Sequence, residues 1–281
     1  MITIPLRLPA PAKLNLFLHI TGRRVDGYHE LQTIFQLIDL CDWLTFEPTL
    51  TPDIELISTL DVPSGQNLIV RAAQLLQPYQ TQPHGVRITL DKYLPMGGGV
   101  GGGSSDAATT LLALNQLWQL NLSIDQLAHL SLQLGADVPV FVRGHNAWAD
   151  GIGERLSPVQ LPQKRYAILK PDCFIGTSDL FSQETLTRNT PVTTFAAYQS
   201  QPELFSNDCE PVARQLFSPV AQALDYLQQF GSARLTGTGA CVFVALDDNI
   251  NTAMLLANAP CQGWIANSLP ISPVHTQLGL M

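Results

Sequence analysis

The stretch from Leu94 to Ala108 reads LPMGGGVGGGSSDAA. Six of the seven residues from Gly97 to Gly103 are glycine, and glycine loses more conformational freedom on folding than any other residue. Alternating apolar residues predict a strand over 86–90, just before the run, and an apolar stripe predicts a helix over 105–120 after it. The run therefore joins a strand to a helix N-terminus.

Three interpretations of the glycine run compete. In the first, backbone N–H groups converge on a phosphate at the start of the helix, and Ser104 and Ser105 add hydroxyl groups. In the second, Gly97, Gly99 and Gly102 form the G-x-G-x-x-G pattern of a dinucleotide site, although a string of glycines satisfies nearly any such pattern. In the third, the run is a structural turn. The position before an amphipathic helix favours the phosphate loop.

Two large kinase classes are excluded by their motifs. A P-loop needs lysine and then serine or threonine after its last glycine, whereas Ser104 follows Gly103 here. The chain also has no H-R-D or D-F-G motif of a protein kinase. A phosphate loop in this chain must therefore belong to another class.

Length and charge limit the class of protein and its partners. The 281 residues suit one large domain or two of ordinary size, and 46% hydrophobic content is enough for a packed core. The net charge of −8 and the absence of a basic block argue against a nucleic-acid partner. No run of 18 apolar residues occurs and the first residues lack an apolar signal region, so we expect neither a membrane span nor a signal peptide.

The five cysteines are scattered along the chain and form no C-x-x-C pair. This spacing argues against a disulfide framework and against a cysteine-rich zinc site. It fits a reducing compartment, and we therefore expect a cytoplasmic protein. The sequence leaves the oligomeric state open.

Periodicity and turn residues predict the remaining elements. In the first half they are strands over 13–20, 31–40, 43–47, 54–58 and 140–142, and helices over 67–79, capped by Asn67, and 124–134, capped by Ser123 and ended by Gly135. In the second half they are a strand over 166–170, helices over 178–187, 210–217 and 218–230, and a glycine turn between two strands in ARLTGTGACVFVAL. The last residues, LPISPVHTQLGLM, are predicted to be a tail. Glycine and proline over 151–162 suggest two domains, 1–157 and 158–281.

The motifs PAKLNLFLHITGRRVDGYHEL, NLIVRAA, LPMGGGVGGGSSDAA, LGADVPVFV and LTGTGACVFVAL occur in this order. Together they resemble the GHMP superfamily of small-molecule kinases, which includes galactokinases, homoserine kinases and mevalonate kinases. PAKLNL, DGYHEL and GADVPVF are most similar to a branch whose acceptor carries a cytidine diphosphate group. That resemblance implies ATP-dependent phosphorylation of the acceptor's C2 hydroxyl, in the non-mevalonate route to isoprenoid precursors.

The resemblance also implies a fold and a nucleotide site. The fold would be α+β in two domains, the first similar to domain 2 of ribosomal protein S5 and the second ferredoxin-like, with the substrate in the cleft between them. ATP would be bound by Lys92, Pro95, Met96, Gly97, Gly98, Gly99, Val100, Gly101, Gly102, Gly103, Ser104 and Ser105. ATP chemistry implies Mg²⁺. The phosphates and water would largely hold this ion, because no acidic ligand is identified that could bind it together with a serine.

Asp137 is the candidate acid–base residue and Lys13 is its partner. A lone aspartate after Gly-Ala is usually a turn or cap residue, so the catalytic assignment rests on the resemblance of GADVPVF to the family motif. Asp137 would either take the proton of the acceptor hydroxyl or orient that hydroxyl. The Lys13 cation would hold the carboxylate ionised and stabilise charge on the transferring group.

Five further residues are predicted to bind the acceptor by the same resemblance. Asn15 lies two residues from Lys13 and therefore faces the same side of its strand. Tyr28 is expected to stack on the cytosine and His29 to bind its edge. Phe181 would form the second side of an aromatic sandwich, and Thr177 would donate a hydrogen bond to the substrate.

Two other functions compete with this one. Another GHMP kinase, such as a mevalonate or homoserine kinase, has no base to stack, so the Gly-Tyr-His turn argues against it. A non-catalytic nucleotide-binding protein on the same fold would not need both Lys13 and Asp137.

Overall fold

A computed structural model describes residues 5–280, and two long antiparallel strands begin the fold. Strand β1 spans Leu6–Arg23 and β2 spans His29–Thr49, and they pair along nearly their whole length. The two separate strands predicted over 31–40 and 43–47 are wrong, because β2 keeps pairing with β1 through the residues between them. Three register shifts in this pair allow such long strands to bend.

The first sheet has six strands. Besides β1 and β2 it contains β3 (Ile54–Ile57), β4 (Gly85–Asp91), β5 (Ala147–Asp150) and β6 (Arg155–Pro158). Their order is β3-β4-β2-β5-β6, and β1 pairs with β2 off this path. Of the strand pairs in this sheet, β3–β4 is parallel within the described residues, and such a connection needs a crossover, here supplied by a helix.

Four helices accompany this sheet: α1 (Leu68–Leu76), α2 (Gly102–Leu117), α3 (Ile124–Ser131) and α4 (Val138–Arg143). The predicted caps are confirmed. Asn67 Oδ1 accepts from the N–H of Ile69 at 2.9 Å, and Ser123 forms a reciprocal capping box with Gln126. A 3₁₀ turn over Gln77–Tyr79 completes the helix predicted over 67–79. Helix α2 starts three residues earlier than predicted, inside the glycine run.

Two predictions near α4 are wrong. Residues 140–142 were predicted to form a strand, but they lie in α4, where Pro139 occupies the first turn, a position that suits proline. Gly135 does not end α3, which stops at Ser131. The glycine that ends a helix here is Gly144, with φ of +70° after α4.

The second sheet has four strands in the order β10-β7-β9-β8. They are β7 (Arg165–Lys170), β8 (Arg234–Leu235), β9 (Val242–Leu246) and β10 (Gln262–Asn267). The helices of this half are α5 (Thr177–Phe181), α6 (Phe195–Ser200), α7 (Glu210–Leu216), α8 (Ser218–Leu227), α9 (Thr252–Ala257) and α10 (Pro273–Leu278), with a 3₁₀ turn over Pro202–Leu204. The helix predicted over 178–187 stops at Phe181.

The C-terminal residues are not a tail. The N–H of Leu269 donates to the carbonyl of Leu37 at 2.8 Å, and α10 buries Val274 in the core of the first sheet. The predicted domain boundary at 157/158 falls inside β6 and stays a prediction. An α+β architecture with two sheets is confirmed, and no helix within residues 5–280 is long and apolar enough to cross a membrane.

Candidate active site

The glycine loop, residues 95–101, connects β4 to the first turn of α2 and follows a path that only glycine adopts easily. Gly97, Gly99 and Gly101 have φ of +62°, +72° and +75°. In this left-handed region a side chain would be strained. The alternation of left-handed and ordinary residues turns successive peptide groups in different directions.

The carbonyl groups of the loop are bound to the protein, whereas its N–H groups are not. The carbonyl bonds join Gly97 O to Ala240 N (3.0 Å), Gly98 O to Cys241 N (3.1 Å), Gly99 O to Lys13 Nζ (2.8 Å) and Val100 O to Lys13 N (3.0 Å). The N–H groups of residues 97–104 donate to no other group within residues 5–280. At a helix N-terminus such N–H groups favour an anion.

Part of the glycine run is required by the protein itself. A Cβ on Gly98 would lie 2.6 Å from Cys241 Sγ, and one on Gly101 would lie 2.8 Å from Cζ of Phe141. On Gly103 the nearest described atom would be a Leu68 methyl at 3.7 Å, which is an ordinary contact. The structural and phosphate-binding interpretations therefore apply to different glycines of one run.

Two cavities meet at the glycine loop. The helix-side cavity, about 320 Å³, is lined by the loop, by Lys92 and by the first residues of α1. The strand-side cavity, about 400 Å³, is lined by Lys13, Asn15, Asp137, Thr177 and Phe181, among others. Gly97, Gly99 and Gly101 line both cavities. The loop is thus the wall between two binding spaces, and its unpaired N–H groups lie at that wall.

Lys13 is buried in the wall of the strand-side cavity, beside the glycine loop. Its side chain is 3% exposed, and its ammonium donates to Gly99 O at 2.8 Å and to Asn15 Oδ1 at 2.6 Å. Asp137 Oδ2 lies 3.3 Å from the same nitrogen. The ammonium is thus hydrogen-bonded to the loop and to β1, and it forms an ion pair with the residue before α4.

Asp137 precedes α4 but does not cap it with its side chain. Its carboxylate makes no hydrogen bond to the N–H groups of α4, which rejects the cap interpretation. The side chain is 36% exposed and lines the strand-side cavity. One oxygen faces Lys13, so the carboxylate is both neutralised and open to a ligand.

Asn15 supports Lys13 in addition to lining the cavity. Its Nδ2 donates to Thr33 Oγ1 at 3.0 Å, and its backbone N–H donates to Thr236 Oγ1 at 2.9 Å. The side-chain oxygen is occupied by Lys13. Only the second hydrogen on Nδ2 of Asn15 is available for the predicted substrate contact, because the other hydrogen on Nδ2, Oδ1 and the backbone N–H have protein partners.

Lys92 lies in a buried ionic cluster below the helix-side cavity. Its ammonium contacts Asp42 Oδ2 at 2.6 Å and Asp106 Oδ2 at 2.7 Å. Burial raises the pKa of Asp106 from 3.8 to about 7, although the Lys92 charge opposes this shift. The sequence analysis missed both aspartates, and a charged residue inside the apolar run of β2 was the available signal for Asp42.

Five more of the residues predicted to bind ATP lie beside this cavity. Pro95, Met96, Gly102, Gly103 and Ser104 line the helix-side cavity. Ser105, one residue further, is fully buried, and its hydroxyl has no partner within the described part of the chain. Ser105 therefore lies behind the cavity wall.

His29 and Phe181 are brought together, whereas Tyr28 is not. The His29 ring stacks on Phe181 with centroids 4.7 Å apart and planes inclined by 18°. Tyr28 is 61% exposed, and its N–H is held by Asp26 Oδ1 in the turn between β1 and β2. The sandwich predicted for Tyr28 and Phe181 requires a base between the two rings and stays a prediction.

Two residues of this region were missed from the sequence. Thr177 Oγ1 lies 3.0 Å from Thr238 Oγ1, which comes from the second glycine turn. Arg188 Nε donates to His29 Nε2 at 3.1 Å. Burial lowers the pKa of His29, and Arg188 and Arg23 lower it further. Neither Thr238 nor Arg188 has a local sequence signal, since each meets its partner across the fold.

Metal ligands are sparse around the two cavities. No group of three His, Cys, Asp or Glu residues within 5–280 is placed to hold a metal ion. Asp106 and Asp137 are the carboxylates that line the cavities, and Asp106 is occupied by Lys92. Asp137 is thus the one acidic side chain on these described walls that is open to a cation.

Comparisons of the sequence with known proteins find similarity to kinases along almost the whole chain. Residues 67–145 match the model of the GHMP kinases N-terminal domain, and residues 196–253 match that of the GHMP kinases C-terminal domain. A 4-diphosphocytidyl-2-C-methyl-D-erythritol kinase of Acinetobacter baumannii is 57% identical over 96% of this chain and 98% of that protein. One from Tolumonas auensis is 51% identical over 96% of this chain and 95% of that protein.

Solved structures agree with the sequence comparisons. A crystal structure of 4-(cytidine 5'-diphospho)-2C-methyl-D-erythritol kinase superposes with a TM-score of 0.81 and 32% identity, covering 94% of this chain and 99% of that one. A mevalonate kinase from Methanococcus jannaschii reaches a TM-score of 0.70 at 15% identity, over 95% of this chain and 98% of that one. This second likeness concerns the fold alone.

Proposed function

The chain belongs to the GHMP kinase family, and from that premise we propose that it phosphorylates the C2 hydroxyl of 4-diphosphocytidyl-2-C-methyl-D-erythritol with ATP. Full-length similarity to kinases of that name supports the acceptor, which belongs to the non-mevalonate route to isoprenoid precursors. The observation that carries the proposal is the Lys13–Asp137 pair, 3.3 Å apart, at the wall between two cavities. Each of the two substrates would occupy one of these cavities.

ATP binds in the helix-side cavity. The unpaired N–H groups of residues 97–104 and the N-terminus of α2 receive its phosphates. Because the net charge of the protein is −8, attraction of a triphosphate must come from such local groups. Lys92 stays bound to its two aspartates and supports the loop from below rather than acting as a free cation.

The acceptor binds in the strand-side cavity with its hydroxyl beside Asp137. The hydroxyl oxygen attacks the γ-phosphorus, and the bond from that phosphorus to the bridging oxygen of ADP breaks. Asp137 accepts the hydrogen bond, and at the end of the step the proton, of that hydroxyl. Lys13 neutralises charge on the transferring group and holds Asp137 in place.

Magnesium accompanies ATP in this proposal. The oxygen atoms at the site suit a hard cation, but the open carboxylate of Asp137 is a single acidic ligand. Phosphate oxygens and water would therefore supply most of the coordination. The ion would neutralise phosphate charge, while Lys13 and Asp137 carry out the positioning derived above.

A cytoplasmic location is also proposed. All five cysteines are free thiols, and Cys209 and Cys241 are buried in the cores. Burial raises the pKa of each of these two thiols to about 12, so neither is a reactive thiolate. Free thiols in these numbers suit a reducing compartment.

The test is ATP consumption with a panel of acceptors: the cytidyl diphospho-methylerythritol, mevalonate, homoserine and galactose. We expect ADP release with the first alone, and mass spectrometry of that product should find one added phosphoryl group. Phosphorus NMR then identifies the position on C2. Preferred turnover of mevalonate or homoserine would overturn the proposed acceptor, and no turnover with any acceptor would overturn the kinase assignment.

A further inference from the structure

Arg188 lies outside both cavities but binds two predicted recognition residues at once. Its Nε donates to His29 Nε2 at 3.1 Å, and its NH2 group donates to the carbonyls of Phe181 at 2.8 Å and Gln183 at 2.7 Å. Its NH1 group donates to Leu186 O at 3.0 Å. One side chain thus fixes the imidazole and the end of α5 against which that imidazole stacks.

The His29–Arg188 bond has a chemical consequence for the imidazole. The guanidinium is always protonated and has no acceptor, so Nε2 of His29 must present its lone pair. An imidazolium, or the tautomer with hydrogen on Nε2, would place two hydrogens between these nitrogens. His29 is therefore neutral and carries its hydrogen on Nδ1. The lowered pKa of His29 agrees with this state.

The Nδ1–H group remains free for a ligand. It makes no hydrogen bond to another group within residues 5–280, while the ring is nine-tenths buried against Phe181, a wall of the strand-side cavity. Nδ1 of His29 is not among the buried atoms that lack a partner, so its hydrogen reaches the surface beside Phe181, where a ligand can accept from it. The ligand atom that fits is an acceptor.

We propose that Arg188 is a positioning residue that fixes the Nδ1–H tautomer of His29, so that this group donates to N3 of a cytosine and rejects a uracil. Cytosine N3 is an acceptor, whereas uracil carries a hydrogen there, which would oppose the imidazole N–H. The inference rests on the proposed function, because it assumes an acceptor with a cytidine group. It adds a specificity-determining residue that never touches the substrate.

The first arm of the test reads the tautomer directly by nitrogen NMR of histidine-labelled protein at neutral pH. His29→Gln identifies the His29 signals among those of the six histidines. In the wild type we expect hydrogen on Nδ1 and a lone pair on Nε2. Arg188→Met should produce a mixture of tautomers, Arg188→Lys should retain the wild-type state, and the exposed-arginine control Arg87→Met should change nothing. Hydrogen on Nε2 in the wild type would overturn the proposal.

The second arm compares kcat/KM for the cytidyl acceptor and its uridyl analogue. Arg188→Met should lower the cytidyl-to-uridyl ratio of kcat/KM by about 10-fold. Without the guanidinium, Nδ1 of His29 can present its lone pair to the N3–H group of uracil, so a uracil no longer leaves an unpaired polar group. Arg188→Lys should restore much of the ratio. A merely structural role would lower both values together and leave the ratio unchanged, which would overturn the proposal.

The two arms separate this inference from the proposed function. If the wild type fails to phosphorylate the cytidyl acceptor, the proposed function fails, and the NMR arm still decides whether Arg188 fixes the tautomer. If Arg188→Met does not fold, the nitrogen spectra of the wild type and of Arg188→Lys still decide which tautomer His29 adopts beside a cationic partner. A wild type that prefers the cytidyl acceptor, with the same ratio in Arg188→Met, overturns the inference alone.

Discussion

The two cavities beside the glycine loop differ in the groups that line them, which are mainly backbone in one and side chains in the other. The helix-side cavity is lined by residues 97–104, whose N–H groups have no partner within residues 5–280, whereas the strand-side cavity is lined by side chains from separate segments, including Lys13, Asp137 and Phe181. Backbone groups bind any phosphate of suitable shape, but side chains distinguish one acceptor from another. In the proposed function, the loop therefore separates general recognition of the phosphate donor from selective recognition of the acceptor.

The largest expected effect lies at the boundary between the cavities. Asp137→Asn removes the negative charge at nearly constant volume, and kcat should fall by about 10²- to 10⁴-fold, as for other acid–base residues. Lys13→Met should be as damaging, and the double variant should lose little more because the pair acts as a unit. Steady-state kinetics of the two single variants and the double variant measure the fall in kcat.

The matched control for that prediction is Asp125→Asn. Asp125 is exposed and pairs with Arg143 at the far end of α4, so its loss should leave kcat unchanged. If Asp137→Asn retained wild-type turnover, Asp137 would not act on the acceptor. If it lost ATP affinity to the same degree as turnover, the division between the two cavities would not hold.

A smaller effect is expected where the acceptor's base is held. Tyr28 is largely exposed, so Tyr28→Ala should not alter stability. The lost stacking should raise KM for nucleotide-bearing acceptors by about 5- to 150-fold, the range that corresponds to base stacking. The control is Tyr79→Ala, at a second exposed tyrosine, which follows the C-terminal end of α1. An unchanged KM in Tyr28→Ala would remove this tyrosine from the acceptor site.

The smallest effect concerns the ionic cluster below the helix-side cavity. The pKa of Asp106 is raised from 3.8 to about 7, so the folded protein binds this proton more tightly than the unfolded chain. Its contribution to stability is therefore present at low pH and declines as pH rises from about 4 to about 7. In Asp106→Asn that decline should disappear. Urea unfolding of both proteins between pH 4 and pH 8 measures the difference, and a difference that stays constant with pH would contradict the prediction.

The arrangement of strand, glycine loop and helix was largely predictable from the sequence because its determinants are contiguous. The run from Gly97 to Gly103, the strand before it and the helix after it are all local signals. Even there the sequence did not show that Gly98 and Gly101 are crowded by Cys241 and Phe141. Those contacts come from remote segments, which a local pattern does not contain.

The acceptor side was predicted mainly through family motifs, and its supporting contacts were not. The pairing of His29 with Arg188 joins residues 159 positions apart, and no periodicity predicts it. The secondary-structure errors have a similar cause. Residues 140–142 are β-branched or aromatic and favour a strand, but the packing of α4 against α2 and α3 overrides that propensity.

An ATP titration of Gly103→Val tests most directly whether the loop backbone holds the phosphates. The described protein leaves room for a side chain at this glycine, and valine has a higher helix propensity than glycine, so the thermal midpoint should not fall. Calorimetry should nevertheless find ATP affinity lowered by about 10-fold or more, because the side chain blocks the approach of phosphate to the N–H groups. Unchanged ATP affinity in this stably folded variant would contradict the phosphate loop.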